Sequence, residues 1–292
     1  MSKKHHYVSV GLLRLFSDHS GKRVAYLDKR NRTLRQVGVR DVFHEERLNS
    51  YRPVGAEKFS DELELEWSRR ENTAIPLIRA ARRGVETEGL HEAICFVLAL
   101  HHARSLAVRR AYLQYIAQDF SGIPERVEGL EGAFRSDYGR DAAPGEIQAI
   151  ADRLVDESRT SNRVFVDTML DQYHKVFERI HGLHMQRIWN PHREYGFVIS
   201  DQPLVPWLEP LVFGHGRIPL LQADHVYMPL RRDLAVMVTS KLEEQDVVVN
   251  PITVCEMNSW TYQGAERFLA FPPDLDPARS IVALRSWAKP PT

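Results

Sequence analysis

Apolar and polar positions change rhythm several times along the chain. Residues 5–40 set short apolar runs between turn-forming clusters. Val8 to Phe16 is apolar and punctuated by Arg14, Ser17 to Gly21 reads as a turn, and Val24 to Leu27 as a strand. Lys29 to Arg32 is a second turn, and Leu34 to Val39 a further extended stretch. This pattern predicts a small antiparallel meander. From Glu57 the period becomes helical. Ser60 suits an N-cap with Asp61 and Glu62 behind it, and the helix reaches about Ala81, with Pro76 as a point of kinking or termination. A second helix covers Leu90 to about Phe120. Ile94, Val97, His101, Arg104 and Val108 share one of its faces at three- and four-residue spacing. Residues 121–145, interrupted by Gly and Pro, predict a loop or irregular insertion. A third helical region runs from Pro144 to Ile188, with a break near Ser161-Asn162. Strand signals return at Tyr195 to Ser200, at 225–230 and at 234–239, the last nearly all apolar and therefore central. A helix over about 251–270 and a Pro-rich tail over 271–292 complete the chain.

This order, strands then helices then strands then helix, predicts an α+β fold. Its mainly antiparallel sheet is built from both ends of the chain and carries a large helical insertion. The expected organisation is a single domain over 1–270. N-terminal strands occupy 1–56, the helical insertion 57–190, and C-terminal strands and helix 191–270.

Composition narrows the partners. The chain has 292 residues, and its 39 Lys and Arg balance 39 Asp and Glu, so the formal net charge is zero. A chain dominated by nucleic-acid binding is usually basic, so the balance favours at most a local patch. Cys95 and Cys255 sit far apart in apolar surroundings, which predicts buried thiols rather than a disulfide framework. His5, His6, Tyr7 and Arg14 interrupt any apolar run after Lys3-Lys4, so no export signal is expected. No apolar stretch approaches the roughly 20 residues of a membrane span. The expected location is the cytoplasm, with no membrane partner.

Five separated patches carry a family resemblance. The first is His6-Tyr7-Val8 with Leu13-Arg14 and Phe16; the second is Glu64 and Glu71 followed by Ala74-Ile75-Pro76. The third is the pair Arg104 and Arg109, and the fourth Phe197-Val198-Ile199-Ser200-Asp201-Gln202-Pro203. Met228-Pro229-Leu230 with the later Asn258 forms the fifth. Together, in order and spacing, they resemble the bacterial domain-of-unknown-function family four-two-three-eight. Several positions depart from the pattern of that family. Ser9 stands in place of Pro, Gly11 and Leu12 in place of aromatics, His101 in place of Gln and Arg231 in place of Ser.

The candidate chemistry follows from residue type. Glu64 and Glu71, seven apart on a helix, lie two turns apart on nearly one face. Two solvated glutamates are the plain reading; one of them buried against Arg14 or Arg104 is the alternative. His101 and Arg104 occupy an apolar face, where a charged group requires a partner. Arg104 reads either as half of a structural ion pair or as a planar fork for phosphate or carboxylate. Asp201 ends an apolar strand before a Pro-bounded turn, a position that suits a metal ligand, a general base or a cap of its own loop. His181 and His184, with His192 beyond, have zinc-like spacing but lack the His-Glu-x-x-His arrangement, and a packed or surface role is favoured. No phosphate loop, dinucleotide fingerprint or nucleophile elbow is present.

Two functions of different class remain open. In the first, the protein is a metal-dependent phosphodiesterase or nuclease, in a defence or toxin setting, with His6, Arg14, Glu71, Arg104 and Asp201 in one catalytic pocket. Glu71 and Asp201 would hold Mg²⁺ or Mn²⁺, His6 would act as general base, and Arg14 or Arg104 would steady phosphate. Its partner would be a nucleic acid or nucleotide. In the second, the protein is a non-catalytic binding or regulatory protein with a protein partner, and the same polar set is a structural network.

Overall fold

The computed structural model describes residues 4–46, 48–52, 60–117, 124–161, 163–208, 212–213, 220–241 and 245–284. In chain order the elements begin with β1 (Lys4–His6), α1 (Val10–Leu13), β2 (Arg23–Asp28), β3 (Thr33–Gly38) and β4 (His44–Glu46). The helices α2 (Glu62–Ala80), α3 (Leu90–Ala103), α4 (Leu106–Ala117), α5 (Pro124–Tyr138), α6 (Glu146–Ser161) and α7 (Arg163–His181) follow. Next come β5 (His184–Trp189), β6 (Ile199–Ser200), β7 (Val205–Leu208), β8 (Val212–Phe213), β9 (His225–Arg231), β10 (Leu234–Thr239) and β11 (Asp246–Val248). The last are α8 (Pro251–Gly264), β12 (Phe268–Phe271) and α9 (Pro277–Ser280). The fold is α+β, with sheets that are mainly antiparallel.

The two ends of the chain meet in a four-stranded sheet of order β3-β2-β12-β6. The strands at 225–239, expected in that same sheet, instead belong to a six-stranded sheet of order β11-β5-β10-β9-β7-β8. A third sheet pairs β1 with β4. The reason lies at 184–189, where the pattern predicts the end of a helix. Gly182 and Leu183 follow α7, and the six residues His184–Trp189 form β5, which pairs along the whole of β10. The C-terminal half therefore has enough strands of its own to close a sheet without the N-terminal hairpin.

The four-stranded sheet is covered on both faces, with the period-two alternation that this requires. Val24, Tyr26, Ile199 and Ala270 join the main core, while Ala25, Leu27, Val198, Leu269 and Phe271 join a smaller cluster with Leu275, Ile281 and Leu284. The main core centres on α3. Its run Ala93 to Leu100 is buried throughout, as expected of a helix apolar on every side. It packs between α2 and α7.

Other boundaries also moved. Val10 to Phe16 is helical rather than extended: Ser9 caps α1 by accepting the Leu12 N–H, and a 3-10 turn over Arg14–Phe16 follows. Pro76 lies inside α2 without ending it. The helix expected over 90–120 breaks at Arg104-Ser105, and 124–138, expected as loop, is α5. The helix expected to reach 270 ends at Gly264, and β12 takes its place. The tail residues 285–292 lie outside the described residues. Neither cysteine forms a disulfide, and both are buried. Among the described residues, no helix is long and apolar enough to cross a membrane.

Candidate functional site

A cleft of about 640 Å³ opens between the N-terminal segment, the turn after β3, and helix α2. Its N-terminal wall is built from a local cap and a long-range bond. The Ser9 side chain caps α1, while the Ser9 backbone N–H donates to His101 Nε2 at 3.1 Å. His101 Nδ1 in turn donates to the Val97 carbonyl at 2.7 Å, which fixes the tautomer. Burial holds His101 neutral, with its pKa lowered to about 3. Gly11 brings this wall close to α2: a Cβ there would come within 3.1 Å of Ile75 Cγ1.

The floor is Arg104. Its guanidinium is 1% exposed and is shared between Glu64 at 3.0 Å and Glu71 at 3.7 Å. One face lies over the Trp67 ring at 4.6 Å, so α2 supplies both the carboxylates and the apolar seat. Glu64 also accepts a hydrogen bond from Asn49 Nδ2. Burial raises the pKa of Glu71 against the opposing charge of Arg104. His6 Nε2 bonds the Arg40 carbonyl at 3.2 Å, which makes Nε2 the donor and leaves the lone pair on Nδ1. Burial lowers the His6 pKa to about 4, so the ring is neutral at physiological pH. Lys4, Arg14, Arg40 and Arg79 line the rim as exposed cations, and none of them makes an ion pair among the described residues.

Of the five residues singled out from the sequence, His6, Arg14, Glu71 and Arg104 line this cleft, and Asp201 does not. Asp201 is 1% exposed. Its carboxylate accepts the backbone N–H groups of Glu266 and Arg267 at 2.8 Å and of Phe268 at 2.9 Å. It staples the entry of β12 to the end of β6, which is neither a cap of its own loop nor a place in the cleft. Burial raises its pKa to about 6 although those three bonds pull the other way. The expected cation pair of Glu71 with Asp201 is therefore not formed. Among the described residues, no group of three or more His, Cys, Asp or Glu side chains is arranged to hold a metal ion. His181 and His184 are exposed, and the His181 ring packs edge-on against His91.

Other members of the resemblance have structural work. Arg109 pairs with Glu45 at 3.2 Å. Asn258, fully buried, accepts the Val198 N–H and donates to the Gly196 and Ser280 carbonyls. Arg231 donates to the carbonyls of Ile78, Arg79 and Ala81, closing the C-terminus of α2 below the cleft. The sequence reading missed Ser68, Asn72 and Arg79 as lining residues. A signal existed: they extend the Glu64–Glu71 face at helical spacing. Arg40, on a turn, carries no such signal.

The architecture is that of an α+β protein with a cation-rimmed cleft over a buried Arg–carboxylate cluster. The chain belongs to the family described as protein of unknown function (DUF4238), whose model matches residues 4–274. No curated protein and no solved structure matches it.

Proposed function

We propose that the protein binds a phosphorylated ligand in this cleft and hydrolyses a phosphoester there, as a hydrolase of the phosphodiesterase or nuclease type. The carrying observation is the set of exposed cations Lys4, Arg14, Arg40 and Arg79 around a floor where Glu71 borders the buried Arg104. Cations that lack carboxylate partners suit an incoming anion. Glu71, with its pKa raised by burial, is suited to give a proton to a leaving oxygen. His6, kept neutral, carries a lone pair on Nδ1 that can take one from the attacking water, as a weaker base than an ordinary imidazole. Arg104 and the rim offset the charge that develops on the phosphoryl oxygens. A role for Mg²⁺ or Mn²⁺ through Glu71 loses its intended second ligand, because the three backbone bonds occupy Asp201. A binding-only protein is the second reading. It is favoured by Glu64, whose carboxylate is already engaged by Asn49 and Arg104.

Calorimetric titration with pyrophosphate and short single-stranded RNA and DNA, alongside cleavage assays with Mn²⁺ or with EDTA, tests both. The hydrolase reading expects binding, and cleavage that Glu71→Gln abolishes while binding persists. Binding without cleavage at high protein concentration favours the binding-only reading. No heat with any of these probes overturns both.

A further inference from the structure

Resting on that reading of the cleft, we infer that its ligand is recognised through several phosphoryl groups on a hydroxylated aliphatic frame, with no aromatic base seated in the site. Both a single-stranded RNA backbone, through its 2′-hydroxyls, and a free sugar bisphosphate have this chemistry.

Three observations carry it. The first is reach. The lining runs along α2 from Glu64 to Arg79, about 22 Å at the helical rise, far beyond the span of one phosphoryl group. The rim cations come from four separate places: β1 (Lys4), the end of α1 (Arg14), the turn after β3 (Arg40) and the last turn of α2 (Arg79). No two of these lie on the same element, so the cations reach the cleft from four different parts of the fold.

The second is the absence of a stacking surface among the lining residues. Among the described residues no Phe, Tyr or Trp lines the cleft, and the apolar side chains there are the aliphatic Val10, Ile75 and Pro76. The floor guanidinium has one planar face covered by Trp67, which is itself 2% exposed. The His6 ring is in edge-to-face contact with His44. Base-tolerant recognition of single strands depends on open aromatic faces, and the lining supplies none.

The third is the unmet hydrogen-bonding capacity at the floor. Glu71 Oε1 and Arg104 Nε are buried without a hydrogen-bond partner among the described residues. One is an acceptor when ionised, the other a donor. A ligand hydroxyl offers both a proton and lone pairs, so it can satisfy either. Ser68 and Asn72, on the same helix face, add small polar groups that match hydroxyls better than they match a ring.

The test uses the full chain in calorimetric titrations. The probes are inorganic phosphate, ribose 5-phosphate, fructose 1,6-bisphosphate, and an oligoribonucleotide compared with an abasic oligoribonucleotide of equal length. The bisphosphate is expected to bind at least about tenfold more tightly than the monophosphate. The abasic strand should bind within about threefold of the base-bearing one. Engagement of the four rim cations predicts a slope near −3 for log affinity against log salt with the single strand, and Arg79→Gln should reduce its magnitude by about 0.7. Arg79 is exposed, and an unchanged melting curve would exclude misfolding of the variant. Tight bisphosphate with weak oligonucleotide binding identifies the small ligand as the source; the reverse identifies the nucleic-acid backbone. A base-bearing strand at least about tenfold tighter than the abasic one, or equal binding of mono- and bisphosphate, overturns the inference and leaves the phosphate-binding cleft standing. No binding by any probe overturns both.

Discussion

His101 Nε2 accepts the backbone N–H of Ser9 at 3.1 Å, across 92 residues of sequence. Both residues are buried, so this bond ties the N-terminal wall of the cleft to the last turn of α3. His101→Leu should leave the Ser9 N–H unsatisfied and cost about 1–3 kcal/mol in urea unfolding. His101→Gln should cost less, because its side-chain oxygen can accept the same bond.

The same pair predicts a pH dependence. The folded pKa of His101 is depressed to about 3 from its ordinary 6.5, so the unfolded chain binds a proton that the folded chain refuses. Its contribution is fully present above pH 6.5 and is lost as pH falls from 6.5 towards 3. The slope is about 1.4 kcal/mol per pH unit. The difference in stability between the wild type and His101→Gln should shrink or reverse as pH falls across this window. Parallel stability curves would refute the buried neutral imidazole.

Arg104 anchors two carboxylates from below the cleft. Arg104→Met should strand Glu64 and Glu71 without their shared cation and cost about 3–5 kcal/mol. Arg104→Lys keeps the charge but loses the planar fork, so it should fall between the wild type and Met. Thermal unfolding of the three proteins checks the order.

Asp201 separates a structural from a catalytic role. Asp201→Ala leaves three backbone N–H groups without their acceptor, at about 1–3 kcal/mol each before relaxation or entering water. The melting temperature should drop sharply. In protein that remains folded, pyrophosphate affinity should match the wild type. A variant with unchanged stability and lost binding would return Asp201 to the cleft.

The N-terminal segment should be indispensable. Val8, Leu12, Leu13 and Phe16 are all fully buried. At roughly 1.5–3 kcal/mol for each side chain, their removal approaches the whole stability of an ordinary domain. Deleting residues 1–16 should yield insoluble or unfolded protein, as judged by soluble expression and circular dichroism.

The sequence by itself determined the α+β class, a helix beginning at Leu90 though not its end, the strands at 225–230 and 234–239, and the gathering of unusual polar residues at particular positions. These are local matters: side-chain period, turn chemistry and the cost of placing a charge on an apolar face act within a few residues. Only the tertiary structure decided which strands share a sheet, because a ladder is chosen by pairing partners far apart, as β5 is by β10. It also decided the fate of each polar residue. Arg104 and Asp201 present the same signal in sequence, a charge beside apolar neighbours. The carboxylates of α2 meet Arg104 at the floor of a cleft, whereas three backbone amides of the β12 entry consume Asp201. A buried charge must be satisfied by something, and what satisfies it comes from whichever distant segment the fold brings alongside.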